Sequence, residues 1–490
     1  MSKNSTAISK INSRLTELLF SKRWVWVWVC IGILLIWKCV IFYYLPYANQ
    51  DGPHSLGQTF SLLRGNLFSA PLGNSHIDPY LYPYFYAIVS APAFLLLPFG
   101  AYNIFVWNLI LALAGCALVL SLVDRQNHLS LSVAFVLILG FLCNMYTYGL
   151  RNELPTTVVM LVLLKIILWN PTPRLNFFRL VIIGVVTAII GLMHPVAGVI
   201  TVGLLLMMLH DYKASLIDIL TIGATTFLAL LLLYLPVVLI DFDKWRYTFF
   251  VIGMEQDEHS FSWSSCIKYV KYAPIVFVPP LIAIVEKWRR SGLKSSWWIK
   301  ETIYWVLMIG LLSLFGRSYY FPYLIVFIAW RLLRLPNFTI PALALLVVLI
   351  VSPILTHYLP TFQLIENPKY SQTLHHIISE VEKYRDKADT DLVYVNARVV
   401  MPIMDRPKAR IFFRFYRTVA QKGMDFSGDD IFLYINPDDY KLIIRNLDVP
   451  EENLIVTELI SPTPGLLRPG TFFRERDAPL GLWKIELLEP

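Results

Sequence analysis

Two carboxylates stand where apolar segments of the chain meet polar sequence. Asp51 comes a few residues after the first hydrophobic segment, Trp24–Leu45, and Glu153 comes two residues before Pro155, where another apolar run begins. A carboxylate close to apolar surface can act as a general base on a hydroxyl group or bind a divalent cation. The ordinary alternatives stay open, because Asp-Gly-Pro favours a turn at Asp51 and an acid suits the start of a helix at Glu153.

Three further residues have side chains that could bind an anion. Arg151 stands two positions before Glu153, and His194 precedes Pro195 between two apolar runs. Arg317 stands two positions before a pair of tyrosines. Arginine binds phosphate through charge-assisted hydrogen bonds, and histidine can carry a positive charge near neutral pH. The alternatives are an interfacial arginine that extends toward water and a histidine that caps a hairpin.

The polar segment Pro46–Gly100 contains four more candidates for contact with a substrate. Arg64 lies in a short amphipathic stretch, and His76 and Asp78 stand just before a proline-broken apolar run. Tyr82 is one of several aromatic residues at the start of that run, where an interfacial aromatic belt is the simplest interpretation.

Composition predicts the environment in which these residues work. Of 490 residues, 56% are hydrophobic and 16% are charged, which is too apolar for a soluble globular protein. The apolar runs have the length of roughly 20 residues that a bilayer requires. The net charge of +8 could indicate a nucleic-acid partner, but the basic residues lie in short loops between apolar runs. We therefore expect a polytopic membrane protein whose partner is the lipid bilayer and not nucleic acid.

The positive-inside rule gives the orientation of the spans. The basic N-terminal segment is expected in the cytoplasm, and about eleven spans follow if the proline-broken run Tyr80–Phe99 lies in the membrane interface. If that run crossed the membrane, every later loop would change sides and the strongly basic loop Glu286–Glu301 would face outward. The interfacial interpretation is therefore preferred.

This topology brings the candidate residues to one face. Asp51, Arg151, Glu153, His194 and Arg317 all lie at outer ends of the predicted spans. An arginine on the outer side is unusual under the positive-inside rule, which favours an anion-binding role for Arg317.

The composition changes near Pro360. Residues 1–358 are predicted to form the membrane domain, with a first outer loop at 46–100, and residues 359–490 a small extracytoplasmic α/β domain. In this second domain, helices are expected at Lys369–Lys387 and Pro437–Leu447. Four strands are expected, at Leu392–Asn396, Ile431–Ile435, Leu454–Leu459 and Trp483–Leu488. The five cysteines form no CxxC pair and have no metal-ligand spacing, so they are interpreted as thiols within the bundle.

The order of these features resembles the GT-C class of integral membrane glycosyltransferases. It most resembles the branch that contains dolichyl-phosphate-mannose protein mannosyltransferases and the bacterial aminoarabinose–lipid A transferase. The family's acid soon after the first span resembles Asn49-Gln50-Asp51, its leucine- and glycine-containing helix resembles Ser61-Leu62-Leu63-Arg64-Gly65, and its interfacial helix that ends in Phe-Gly resembles Asp78-Pro79-Tyr80 through Phe99-Gly100. Its second acid before a proline resembles Glu153-Leu154-Pro155, its hairpin tip with a basic residue and proline resembles His194-Pro195, and its late arginine followed by tyrosine resembles Arg317-Ser318-Tyr319-Tyr320.

The resemblance implies both a fold and a reaction. It implies a mainly α-helical membrane bundle that transfers a sugar, with inversion, from a polyprenyl-phosphate donor to a glycan, lipid or protein acceptor on the non-cytoplasmic side. Asp51 would be the base or orient the acceptor, Glu153 would be a second acid, and Arg151, His194 and Arg317 would bind the donor phosphate. A divalent metal is possible, although the family's Asp-Glu pair is Asp51-Gly52 here and its hairpin lysine is His194.

Two other functions remain open at this point. One is a transporter or flippase of lipid-linked substrates, although the paired broken helices of such proteins are not evident in the sequence. The other is a non-catalytic subunit of an envelope polysaccharide assembly, which the missing acid after Asp51 would allow.

Overall fold

The structure is a computed structural model, and the part of the chain that it describes consists of eleven stretches and some single residues. The stretches are 85–96, 101–122, 153–168, 176–240, 296–314, 321–332, 391–394, 409–411, 429–435, 451–463 and 480–487. The single residues lie between 29 and 40 and at 59, 63, 242, 372, 376, 379, 380 and 383.

The described part of residues 1–358 contains eight helices. They are α1 (Phe85–Leu96), α2 (Ala101–Ser121), α3 (Glu153–Leu168), α4 (Phe177–Met193), α5 (Pro195–Asp211), α6 (Leu216–Ile240), α7 (Ser296–Leu314) and α8 (Phe321–Leu332). These apolar runs are expected in a bilayer, where no water is present to hydrogen-bond the backbone. Each segment forms a helix because a helix satisfies its own N–H and C=O groups.

The central helix of the described bundle is α3. It packs against α1, α2, α4 and α8, and most of its residues are buried, including Glu153 at its start. The outer helix α6 packs mainly on α4 and exposes large apolar side chains along its length. Within the described residues, α6 is also the helix that is long and apolar enough to cross a membrane, over Leu216–Pro236. Only 6% of the residues in its most apolar part are buried.

Helices α4 and α5 form a hairpin that turns at a single residue. His194 caps the C-terminus of α4 and the N-terminus of α5, and Pro195 occupies the first position of α5, where its missing N–H costs no helical hydrogen bond. The two arms meet closely, because a Cβ built at Gly198 would lie 2.8 Å from the Cα of Gly191. Glycine at position 198 therefore allows the hairpin to close.

The helix ends away from the His194 turn are fixed by capping residues and cationic side chains. The Arg179 guanidinium of α4 donates to the carbonyl oxygens of Ile166 and Ile167, at 2.8 Å and 2.7 Å, and so satisfies the end of α3. Ser215 and Asp218 form a reciprocal capping box that starts α6. The turn before it places Lys213 at φ 52, in the left-handed region.

Helix α7 includes the end of the predicted basic loop Glu286–Glu301. It begins at Ser296 and contains Lys300 and Glu301. Both charges pair with residues of other helices, which lets them lie within a packed helix. The boundary of the membrane span at this point remains a prediction.

The C-terminal region contains a five-stranded sheet with the order β2-β1-β3-β5-β4. Its strands are β1 (Asp391–Tyr394), β2 (Ala409–Ile411), β3 (Asp429–Ile435), β4 (Leu454–Thr463) and β5 (Leu480–Leu487). The pairs β1–β2 and β1–β3 are parallel, whereas β3–β5 and β4–β5 are antiparallel. In β5, Leu482, Trp483 and Ile485 are buried.

The four predicted strands overlap β1, β3, β4 and β5, and β2 was not predicted. The predicted helix Pro437–Leu447 lies outside the described residues, and Lys369–Lys387 is described only at single residues, of which 372, 376, 379 and 380 are helical.

The predicted interfacial run Tyr80–Phe99 contains α1, whose 12 residues span about 18 Å, less than the roughly 30 Å hydrocarbon core. The number of eleven spans and the two domain boundaries remain predictions.

Candidate functional site

The described helices have two distinct ends, and each end carries a group of polar residues. The His194 end contains the start of α3, the α4–α5 turn and the start of α8. The Arg331 end contains the end of α5, the first turns of α7 and the end of α8. Contacts between side chains define both ends, because His194 packs against Tyr323 and Asp211 pairs with Arg331.

Glu153 lies at the His194 end. Arg179, near the start of α4, contacts the last turn of α3, so the two helices are antiparallel neighbours. From that contact, Glu153 and His194 are each about 20 Å away along their helices. Glu153 is only 1% exposed, although a carboxylate is costly to bury. Its position as the first residue of α3 places it where the helix dipole favours a negative charge.

His194 is fixed in orientation by the hairpin. It is 2% exposed, and its Nδ1 accepts a hydrogen bond of 3.4 Å from the backbone N–H of Ala197. A ring whose Nδ1 accepts must carry its proton on Nε2 when it is neutral, so the donor side of the imidazole is Nε2. The ring centroid is 5.8 Å from that of Tyr323, with a tilt of 57°. The capping role predicted as an ordinary alternative is therefore present, and it also directs the Nε2 donor.

Buried hydroxyl and amide groups accompany these residues, and the sequence interpretation missed them. Asn108 is 6% exposed on the core-facing side of α2, and among the described residues its Nδ2 has no hydrogen-bond partner. The hydroxyl group of Thr156, one turn after Glu153 in α3, is also buried and also has no hydrogen-bond partner among the described residues. Helix α2 runs parallel to α3, since the Lys165 ammonium group donates to the carbonyl of Ser121 at 2.6 Å, which puts Asn108 and Glu153 at about the same height. The signal in the sequence was an asparagine inside an apolar run.

The Arg331 end contains a buried ionic cluster. The Arg331 guanidinium bonds Asp211 at 2.5 Å, and it also pairs with Glu301, to which its Nε donates at 3.1 Å. Lys300 pairs with the second oxygen of Asp211 at 2.6 Å. Tyr304 donates to Asp211 at 3.3 Å, and its ring lies beneath the guanidinium with 5.1 Å between ring centroid and Cζ. These four charged side chains balance one another in an environment where unpaired charges are costly.

Seven sequence-predicted site residues lie outside the described residues, and their positions remain predictions. They are Asp51, Arg64, His76, Asp78, Tyr82, Arg151 and Arg317. Of the predicted site, the structure therefore places Glu153 and His194, and it brings them to the same end of the bundle. In the described part of the chain, no group of three His, Cys, Asp or Glu side chains fits a metal ion.

The fold has a counterpart among solved structures. No family model matches the chain, and no curated protein matches it. The crystal structure of ArnT from Cupriavidus metallidurans bound to undecaprenyl phosphate is similar, with a TM-score of 0.51 and 11% identity over 93% of this chain and 98% of that one. Its apo form gives a TM-score of 0.48 and 12% identity, over 94% and 98% of the two chains. The electron-microscopy structure of arabinofuranosyltransferase AftD from Mycobacteria gives 0.49 and 11%, over 95% of this chain and 40% of that one.

The likeness to undecaprenyl-phosphate-bound ArnT is a likeness of fold and extends over most of the chain. The resemblance to the GT-C class that the sequence motifs predicted is thereby confirmed at the level of the fold. Together with the apolar composition and the exposed apolar surface of α6, it identifies the chain as a polytopic helical membrane protein.

Proposed function

We propose that the protein is a membrane glycosyltransferase that moves a sugar from a polyprenyl-phosphate donor to an acceptor hydroxyl on the non-cytoplasmic side. The observation that supports this most is the burial of Glu153 and His194 at one end of a bundle that has the fold of ArnT. The ArnT structure was solved with undecaprenyl phosphate bound, which makes a polyprenyl phosphate the first ligand to test.

The donor phosphate would bind at the His194 end. The Nε2–H of His194 would donate to a phosphate oxygen, in a buried site where a charge-assisted hydrogen bond is strong. Arg151 stands two positions before Glu153, and Arg317 stands four positions before α8, so both are proposed to supply positive charge at the same end. Their role would be to offset the charge that develops on the leaving phosphate.

The chemical step would be a single displacement with inversion. The acceptor hydroxyl oxygen attacks the anomeric carbon while Asp51 takes the hydroxyl proton, and the bond between that carbon and the phosphate oxygen breaks. The electron pair leaves with the polyprenyl phosphate. Glu153 would orient the acceptor or, with Asp51, hold a divalent metal, and Arg64, His76, Asp78 and Tyr82 would contact the substrate from the first outer loop.

The proposed orientation follows the distribution of charge. The Arg331 end and the N-terminus would face the cytoplasm, and the His194 end and residues 359–490 would face the other side, which is the outside of a plasma membrane or bacterial inner membrane. The acceptor, whether glycan, lipid or protein, would then be reached without crossing the bilayer.

Reconstitution tests the proposal directly. Purified protein in liposomes is given a panel of undecaprenyl-phosphate-linked hexoses and pentoses together with candidate glycan, lipid and protein acceptors. Release of undecaprenyl phosphate and appearance of the sugar on an acceptor are measured for wild type and Asp51→Asn. Transfer by the wild type and its loss in the variant support the proposal. Undiminished transfer by Asp51→Asn contradicts the base assignment. Movement of the intact lipid-linked sugar across the bilayer would indicate a flippase, and binding without turnover by the wild type would indicate a non-catalytic subunit.

A further inference from the structure

The ionic cluster at the Arg331 end joins three helices through one side chain. Arg331 ends α8, and its guanidinium bonds Asp211, the last residue of α5, and Glu301 in the second turn of α7. All three side chains are about 5% exposed or less. A buried ion pair contributes little net stability compared with well-packed apolar residues, so its presence requires another explanation.

Helix α8 is short and is attached to α5 at both of its ends. On α5 the attachment points, His194 and Asp211, are 17 residues or about 25 Å apart. On α8 the corresponding residues, Tyr323 and Arg331, are 8 residues or about 12 Å apart. Helix α8 also packs on α3, and its residues from Tyr323 to Trp330 are buried. Tyr323 and Arg331 are the side chains through which α8 contacts the two ends of α5.

The two attachments differ in kind. At the His194 end the contact is between two tilted rings, whereas at the Arg331 end it consists of charge-assisted hydrogen bonds supported by rings. Arg331 also lies over the ring of Trp330, with 4.4 Å between its Cζ and the ring centroid. A directional, charged contact fixes position more narrowly than an apolar one, because any sliding separates opposite charges at low dielectric.

We propose that Arg331 is a positioning residue for the site at the His194 end. It fixes α8 in register against α5, which holds Tyr323 against His194. The effect passes through the rigid helix α8 and needs no other pathway. The role of Arg331 in holding α8 against α5 concerns structure alone, whereas its consequence for phosphate binding rests on the proposed function.

Lys300 provides a matched control within the same cluster. It also pairs with Asp211, at 2.6 Å, and among the described residues its contacts join α7 to α5 and do not involve α8. Its replacement by glutamine removes the same single positive charge from the cluster as Arg331→Gln does, while Asp211 keeps its bond to Arg331. Lys300→Gln therefore removes a salt bridge from the cluster without removing the link between α5 and α8.

The test compares Arg331→Gln with Lys300→Gln in the full-length protein in detergent. Hydrogen–deuterium exchange is followed in peptides at the His194 end (194–200 and 321–326), and binding of undecaprenyl phosphate is measured by native mass spectrometry. We expect Arg331→Gln to accelerate exchange at the His194 end about tenfold and to weaken binding about tenfold, with Lys300→Gln close to wild type in both. Acceleration confined to the Arg331 end, or equal effects of the two variants, overturns the proposal.

A second variant covers the case in which Arg331→Gln does not fold. Arg331→Lys keeps the charge but can pair closely with only one carboxylate, so we expect intermediate exchange at the His194 end. Exchange there at the wild-type rate overturns the proposal. If the wild type does not bind undecaprenyl phosphate, the proposed function fails, and the exchange rates alone then decide the role of Arg331.

Discussion

Gly198 faces Gly191 so closely across the α4–α5 hairpin that a Cβ on Gly198 would lie 2.8 Å from the Cα of Gly191. The relation is not symmetric, since a Cβ on Gly191 would lie 3.9 Å from the Cα of Gly198, which is an ordinary contact distance. His194 lies between these two glycines in the sequence, at the turn of the hairpin. The closure of the hairpin therefore fixes the position of the imidazole.

The first prediction uses this asymmetry. Gly198→Ala is expected to force the two arms apart, because the new methyl group meets backbone, and to destabilise the protein by about 1–3 kcal/mol. Gly191→Ala is expected to be neutral or slightly stabilising, since alanine favours the helix. Thermal unfolding in detergent checks both, and equal stability of the two variants would contradict the close approach.

His194 has two roles that one substitution can separate. Asparagine is a good N-cap, so His194→Asn should keep the hydrogen bond to Ala197 and unfold within a few degrees of wild type. The variant loses the Nε2 donor, and we expect affinity for undecaprenyl phosphate to fall about tenfold, or about 1.4 kcal/mol. His194→Leu is the comparison that loses both roles. Unchanged affinity of His194→Asn would contradict the phosphate assignment.

Glu153 is expected to matter for transfer more than for folding. Glu153→Gln keeps the shape and removes the charge, and sugar transfer should fall about 100-fold or more if the carboxylate orients the acceptor hydroxyl or holds a divalent metal. Asp218→Asn is a suitable control, because Asp218 is also an acid in the first turn of an apolar helix but lies at the opposite end from His194. Rates from the reconstituted assay decide the matter, and similar rates for the two variants would remove Glu153 from the proposed site.

Arg179 is expected to affect stability alone. Arg179→Met removes the donors to the carbonyl oxygens of Ile166 and Ile167 and should cost about 1–3 kcal/mol. Lys165→Met is the control, since Lys165 makes one exposed hydrogen bond, to Ser121, and should cost less. Both are measured by chemical or thermal unfolding, and the affinity for undecaprenyl phosphate per folded molecule should not change.

The candidate site was only partly predictable. Glu153 and His194 could be found because each carries an ionisable group at the edge of an apolar run, where such groups are costly. Asn108 and Thr156 were missed because a single polar residue inside a hydrophobic run does not show which way it faces. Tyr323 was missed because it follows Tyr319 and Tyr320 in the sequence, and no sequence pattern distinguishes it from them.

The sequence by itself determined that the chain is a helical membrane protein and where most described helices lie, since apolar length and helix caps are local properties. The tertiary structure alone decided which helices are neighbours. Helices α3 and α6 are both apolar over most of their length, yet α3 is largely buried and α6 exposes most of its surface. A helix that is apolar all round has no hydrophobic stripe that would identify its packing face. For the same reason, the pairing of Asp211 with Arg331, 120 residues later, appears only when the helices are packed together.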